Sequence, residues 1–142
     1  MSFANPPDDE IRAILSNPTT VAVVGCSDNP DRDSLQIALL LKRKGFHVIP
    51  VNPQLAPEAL RAELGERCYP DLASIPGSVE IVDVFRRPEY LPAIAEQAIK
   101  KGARILWGQL GVVHLDAADQ ARKAGMTVVM DRCPAIEYRR LF

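Results

Sequence analysis

Gly25, Ser27, Asn29, Arg32 and Ser34 fall within one short stretch, TVAVVGCSDNPDRDS (Thr20–Ser34), between an apolar run and the start of a helical pattern. Each residue type suits one task. A glycine lets the backbone approach a ligand, hydroxyls and an amide supply hydrogen bonds, an arginine supplies charge, and a helix start offers free N–H groups to an anion. That set can cradle a phosphate. The same residues can also form only a turn at Asp28-Asn29-Pro30 with Ser34 as an N-cap. The strand before them and the helix after them favour the cradle.

Three further groups carry polar chemistry at the ends of apolar runs. Asn52-Pro53 follows VIPV, and no carboxylate stands there to bind the ribose hydroxyls of NAD. Arg86-Arg87, after Phe85, precede a helical pattern, where cations oppose the helix dipole and a bound anion would offset the cost. An ion pair with Asp28, Asp31 or Asp33, or simple solvation, is the other reading of that pair. Gln109-Leu110-Gly111 forms a glycine-lined turn with one amide, against which a flat group can lie; Trp107 just before it reads as core. The dinucleotide fingerprint G-x-G-x-x-G is missing, because the next glycine after Gly25 is Gly45.

The elements that must position these residues are legible from apolar periodicity. Val21–Val24, Val48–Val51, Ile81–Phe85, Ile105–Trp107 and Thr127–Met130 are Val/Ile-rich and do not alternate with polar residues, as in interior strands of a parallel sheet. Helical patterns run over Asp8–Ser16, Leu35–Leu41, Pro88–Lys101 and Leu115–Lys123, with glycine stops at Gly45, Gly102 and Gly125. Pro57 opens a further helix through Leu64. The alternation predicts an α/β, Rossmann-like, doubly wound sheet of five parallel strands, as a single domain over 1–142. Residues 1–17 form an N-terminal helical segment packing on it and 135–142 a C-terminal tail. In such sheets ligands bind beyond the carboxyl ends of the strands. That rule gathers Cys26–Ser34, Asn52-Pro53, Arg86-Arg87, Gln109–His114 and Asp131–Pro134 at one edge.

Composition narrows the partners. With 17 basic and 18 acidic residues among 142, the net charge of −1 gives no footprint for nucleic acid. The three cysteines are widely spaced without a C-x-x-C pair, so a structural zinc site is not expected and free thiols suit a reducing cytosol. No signal peptide or membrane-length apolar run is present, and the expected location is cytoplasmic. Neither histidine is well placed for catalysis. His47 enters the second strand at the far end, and His114 suits a surface or helix-capping role. Asp83 and Asp131 have no nucleophile at a pairing distance in sequence.

Taken in order, VAVVGCSDNPDRDS, VIPVNP, VDVFRRPE, WGQLGV and TVVMDRCPAIEYRRL resemble the YccU-like CoA-binding proteins over roughly Ile11 to Leu141. This family is a stand-alone version of the CoA-binding domain at the start of the succinyl-CoA synthetase alpha subunit. The resemblance implies a non-catalytic module that holds the phosphates of CoA, or of an acyl-CoA, at the carboxyl edge of the sheet. The synthetase's phosphorylated histidine comes from a second domain, into which this sequence does not extend. The residues that match the family's binding segments are Gly25, Ser27, Asn29, Arg32 and Ser34, then Asn52 and Pro53, Phe85, Arg86 and Arg87, and Gln109, Leu110 and Gly111. Cys26 joins them as a thiol beside a helix start, where its pKa can fall. It forms either a mixed disulfide with CoA or an inert buried contact, and the second is expected. Departures from the family pattern are DRDS, where a proline often precedes the serine, and Gly108, where a larger residue is common. Two other readings stay open: an NADP-dependent oxidoreductase on the same fold, and an interaction protein with a vestigial pocket working through the tail Ile136–Phe142. Whether the chain forms a homo-oligomer or takes a protein partner also stays open.

Overall fold

The computed structural model describes residues 3–142. Its strands are β1 (Thr20–Val24), β2 (His47–Val51), β3 (Ile81–Val84), β4 (Ile105–Gly108) and β5 (Thr127–Val129), and its helices are α1 (Asp8–Ser16), α2 (Asp33–Arg43), α3 (Arg61–Leu64), α4 (Leu91–Lys101), α5 (Leu115–Lys123) and α6 (Pro134–Leu141). All strands pair in parallel in the order β2-β1-β3-β4-β5. The strands carry apolar side chains on both faces because both faces are covered. Ala22, Val24, Ile49, Val82, Leu106 and Val128 pack against α4 and α5. Val21, Val23, Val48, Ile81, Trp107 and Val129 pack against α1, α2 and α6.

The chain leaves β1 on one side through α2 to β2 and returns on the other side to β3, so the direction of winding reverses at β1. Val24 is in register with both Val51 and Val84, which brings three strand ends level. Two backbone bonds close the seam: Gly25 N–H donates to Val51 O at 2.8 Å, and Phe85 N–H donates to Val24 O at 2.8 Å.

Besides shifts of one or two residues at strand and helix ends, the structure departs from the sequence expectations in four places. Phe85 has left β3 and belongs to the loop. β5 stops at Val129, because the Asn5 side chain then takes over pairing, donating to Met130 O at 2.9 Å and accepting from Met130 N–H at 2.8 Å. Pro57 does not open a helix; only Arg61–Leu64 is α-helical, ended by Gly65 at φ 71°. Pro88–Tyr90 is a 3₁₀ turn, and α4 proper begins at Leu91.

The segment read as a tail is a helix. α6 starts with Pro134 at its first position, packs across α1, and ties down the N-terminal helix. Tyr138 OH donates to Leu15 O at 2.9 Å, and Arg140 bonds both oxygens of Asp8 at 2.8 Å as well as the buried Glu137. The Arg140 bond holds the Asp8 carboxyl below its ordinary range.

Candidate functional site

A cleft of about 520 Å³ opens at the level ends of β1, β2 and β3. That volume lies in the range of small-ligand sites. Its walls are Gly25, Ser27, Asp28, Arg32, Asp33, Ser34, Asn52, Gln54, Leu55 and Phe85. Gly25 sits at φ 86°, and a Cβ there would lie 2.6 Å from Phe85 O, so only glycine fits the crossing. The Arg86 side chain runs over this glycine, its Cδ 3.0 Å from where that Cβ would be.

The loop is held by its own side chains. Ser34 Oγ, buried at the start of α2, accepts Ser27 N–H at 2.9 Å. Ser27 Oγ accepts Asn29 N–H at 3.0 Å, and Asn29 Oδ1 accepts Asp31 N–H at 2.9 Å. Asn29 therefore builds the turn and does not line the cleft. Asn52 Nδ2 donates to Cys26 O at 3.0 Å, while its Oδ1 accepts Gln54 N–H at 2.9 Å, fastening the β2 end to the loop. Pro53 is exposed and outside the cleft. No side chain caps α2, so the N–H groups of its first turn stay available to a ligand.

The structure separates the two arginines after β3. Arg86 stays against Gly25, with its guanidinium 4.5 Å from the Tyr90 ring centroid. Arg87 turns outward to Glu89 at 3.1 Å and to Tyr90 OH at 3.1 Å, and does not line the cleft. Cys26 is also removed from it. Its side chain is fully buried in the core beneath α2, and burial, with Cys68 and Asp83 nearby, pushes the thiol up to about 12. A helix start does not lower this thiol, and its side chain is not among the cleft walls.

A second cavity of about 280 Å³ adjoins the first, and Phe85 and Asp33 line both. Gln109 and Leu110 enter it from the β4 turn, Cys133, Ala135 and Ile136 from the start of α6, Arg139 from its last turn, and Gln36 and Ile37 from α2. Gly108 makes the turn possible, since a Cβ there would lie 2.7 Å from Val112 O. Gly111 does not line the cavity; its N–H donates to Asp131 Oδ1 at 2.8 Å, and Asp131 holds the left-handed φ of 58°. Gln109 is buried, with Nε2 donating to Asp83 Oδ1 at 2.5 Å. Desolvation raises the Asp83 carboxyl to about 7, opposed by that hydrogen bond, and its Oδ2 has no hydrogen-bond partner among the described residues.

Of the residues picked from the sequence, the cleft thus brings together Gly25, Ser27, Arg32, Ser34, Asn52 and Phe85, and the adjoining cavity Phe85, Gln109 and Leu110. The sequence reading missed Gln54 and Leu55, which follow directly on Asn52-Pro53. It also missed the α6 residues, for which Pro134 after the β5 loop was the available signal. Neither histidine lines either cavity. His47 bonds Glu66 at 2.9 Å, and His114 Nδ1 caps α5 by accepting Ala117 N–H at 3.1 Å. Among the described residues there is no cluster suited to a metal ion and no helix long and apolar enough to cross a membrane.

The chain is similar in sequence and fold to known proteins. The chain is 40% identical over 129 residues to the Bacillus subtilis protein YneT, covering 91% of this chain and 92% of that one. A hypothetical protein from Pyrococcus horikoshii superposes with a TM-score of 0.87 at 36% identity, covering 99% of both chains. A protein from Thermus thermophilus gives 0.88 at 34% identity, covering 96% of this chain and all of the other. A segment of 92 residues, 63% of this chain, is 29% identical to the ADP-forming acetate–CoA ligase II of Archaeoglobus fulgidus, where it takes up 13% of the length. The family profile described as a CoA binding domain matches residues 19–139, and the chain belongs to that family.

Proposed function

We propose that this chain is a CoA-binding module without catalysis of its own. The observation that carries the reading is the cradle at Gly25: the glycine is pressed against Phe85 O, leaving backbone and the first turn of α2 as the surface a diphosphate meets. The fit is chemical as well as spatial. Arg32 lines the cleft, and the Arg86 side chain crosses over the glycine toward Tyr90, which sets a second cation beside the cleft. At the end of β2 the Asn52 amide is engaged by the loop, and no carboxylate is offered to a ribose 2′-hydroxyl. Asp28 and Asp33 temper the positive field. The arm beyond the phosphates continues over Phe85 into the second cavity. Bound CoA would supply a thiol or thioester there; the residues around it position and shield, and neither histidine nor Cys26 is within either cavity.

Calorimetric titration with CoA, dephospho-CoA and NADPH tests this. CoA is expected to bind, dephospho-CoA more weakly, and Arg32→Ala and Arg86→Ala each to lose roughly tenfold, the scale of one charged hydrogen bond. Saturation by NADPH with none by CoA would instead place the chain among NADP-dependent oxidoreductases.

A further inference from the structure

The second cavity offers the end of the CoA arm an apolar lip. Free CoA ends in a small thiol, yet the outer wall of this cavity is made by Leu110 from the β4 turn and Ile136 from α6, which are 57% and 41% exposed. Two large aliphatic side chains from elements remote in sequence face one ligand-sized space, and Phe85, Ile37 and Ala135 carry the apolar lining inward. We propose that this is an acyl pocket, and that the site takes CoA esterified to an apolar acyl group, with Leu110 and Ile136 reading the chain. This rests on the CoA reading above and adds the class of acyl group.

Two features commit the pocket to an apolar occupant. It adjoins the phosphate cleft, with Phe85 and Asp33 lining both, so it lies next to the position a CoA thioester would take. Its charges oppose one another: Arg139 and Asp33 both line it, so an acyl group ending in a carboxylate meets no net positive wall. Covering Leu110 and Ile136 with methylenes removes apolar surface from water on both sides of the contact, worth about fourfold in affinity per fully buried methylene.

The test is titration of the full chain with CoA, acetyl-CoA, octanoyl-CoA and succinyl-CoA, using wild type, Leu110→Ser and Ile136→Ser, each checked for folding by circular dichroism. Both substituted side chains are exposed, so the fold is expected to hold. The proposal predicts octanoyl-CoA at least about tenfold tighter than CoA, succinyl-CoA no tighter than acetyl-CoA, and loss of the octanoyl advantage over CoA when the two ligands are compared within each variant. Equal affinity for CoA and octanoyl-CoA overturns the acyl pocket and leaves the CoA reading standing. An octanoyl advantage that survives both substitutions overturns the assignment to Leu110 and Ile136. Self-association abolished by either substitution, without any acyl preference, makes this lip an interface between copies and overturns the proposal. Failure of all four ligands to bind overturns it together with the CoA reading.

Discussion

Asp83 places a carboxyl group within β3, fully buried, with one oxygen on Gln109 and the other without a hydrogen-bond partner among the described residues. Burial raises it from 3.8 to about 7. The folded chain therefore holds this proton between about pH 4 and 7, where the unfolded chain releases it, so stability from this group is greatest at or below pH 4 and is lost as pH rises to 7. Asp83→Asn removes the charge and keeps an amide for Gln109. It is expected to raise stability at pH 8 and flatten the slope between pH 4 and 7 in urea unfolding; an unchanged slope would place the titration elsewhere. Cysteine reactivity should divide in the same way by burial. Cys133 is half-buried at the second cavity, whereas Cys26 and Cys68 are buried with raised thiols. Iodoacetamide followed by peptide mass analysis is expected to label Cys133 first, with CoA slowing it; early labelling of Cys26 would contradict its burial. Gly25→Ala forces a side chain into Phe85 O at a positive φ, which should destabilise by at least ~1 kcal/mol and abolish CoA binding, read by thermal melting with and without ligand.

At the scale of elements, α6 joins fold and site. One side fastens α1 through Tyr138 and Arg140, and its first turn lines the second cavity. Deleting it would not separate partner binding from ligand binding, as a loose tail would allow, because the core beneath α1 would open. Tyr138→Phe is the measured alternative: losing the bond to Leu15 O should cost ~1 kcal/mol in chemical unfolding and leave CoA affinity unchanged. The strands were legible because Val/Ile runs buried on both faces leave an unambiguous pattern, and α2, α4 and α5 because glycine follows each. α6 was not, since IEYRRLF mixes cations with apolar residues and its burial depends on Asp8, Leu15 and Arg12 from the other end of the chain. Asn5 is a similar case: nothing local marks it as the side chain that ends β5.

For the whole molecule, parallel winding brings segments more than a hundred residues apart to one edge, and strand-end placement made that edge readable before side-chain positions were known. Gly25, Arg32 and Ser34 were legible because a strand and a helix frame them. What each side chain faces was not. Asn29 serves the turn, Arg87 pairs with Glu89, and Cys26 points into the core, and such choices depend on neighbours that sequence spacing does not fix. The central claim is that CoA lies across both cavities, and the crystal structure of the chain grown with CoA tests it most directly. The account predicts the diphosphate at Gly25 and the first turn of α2, Arg32 and Arg86 on phosphate oxygens, and the thiol end beyond Phe85 beside Leu110. CoA bound at any other surface, or with its thiol end in the first cavity, would contradict it.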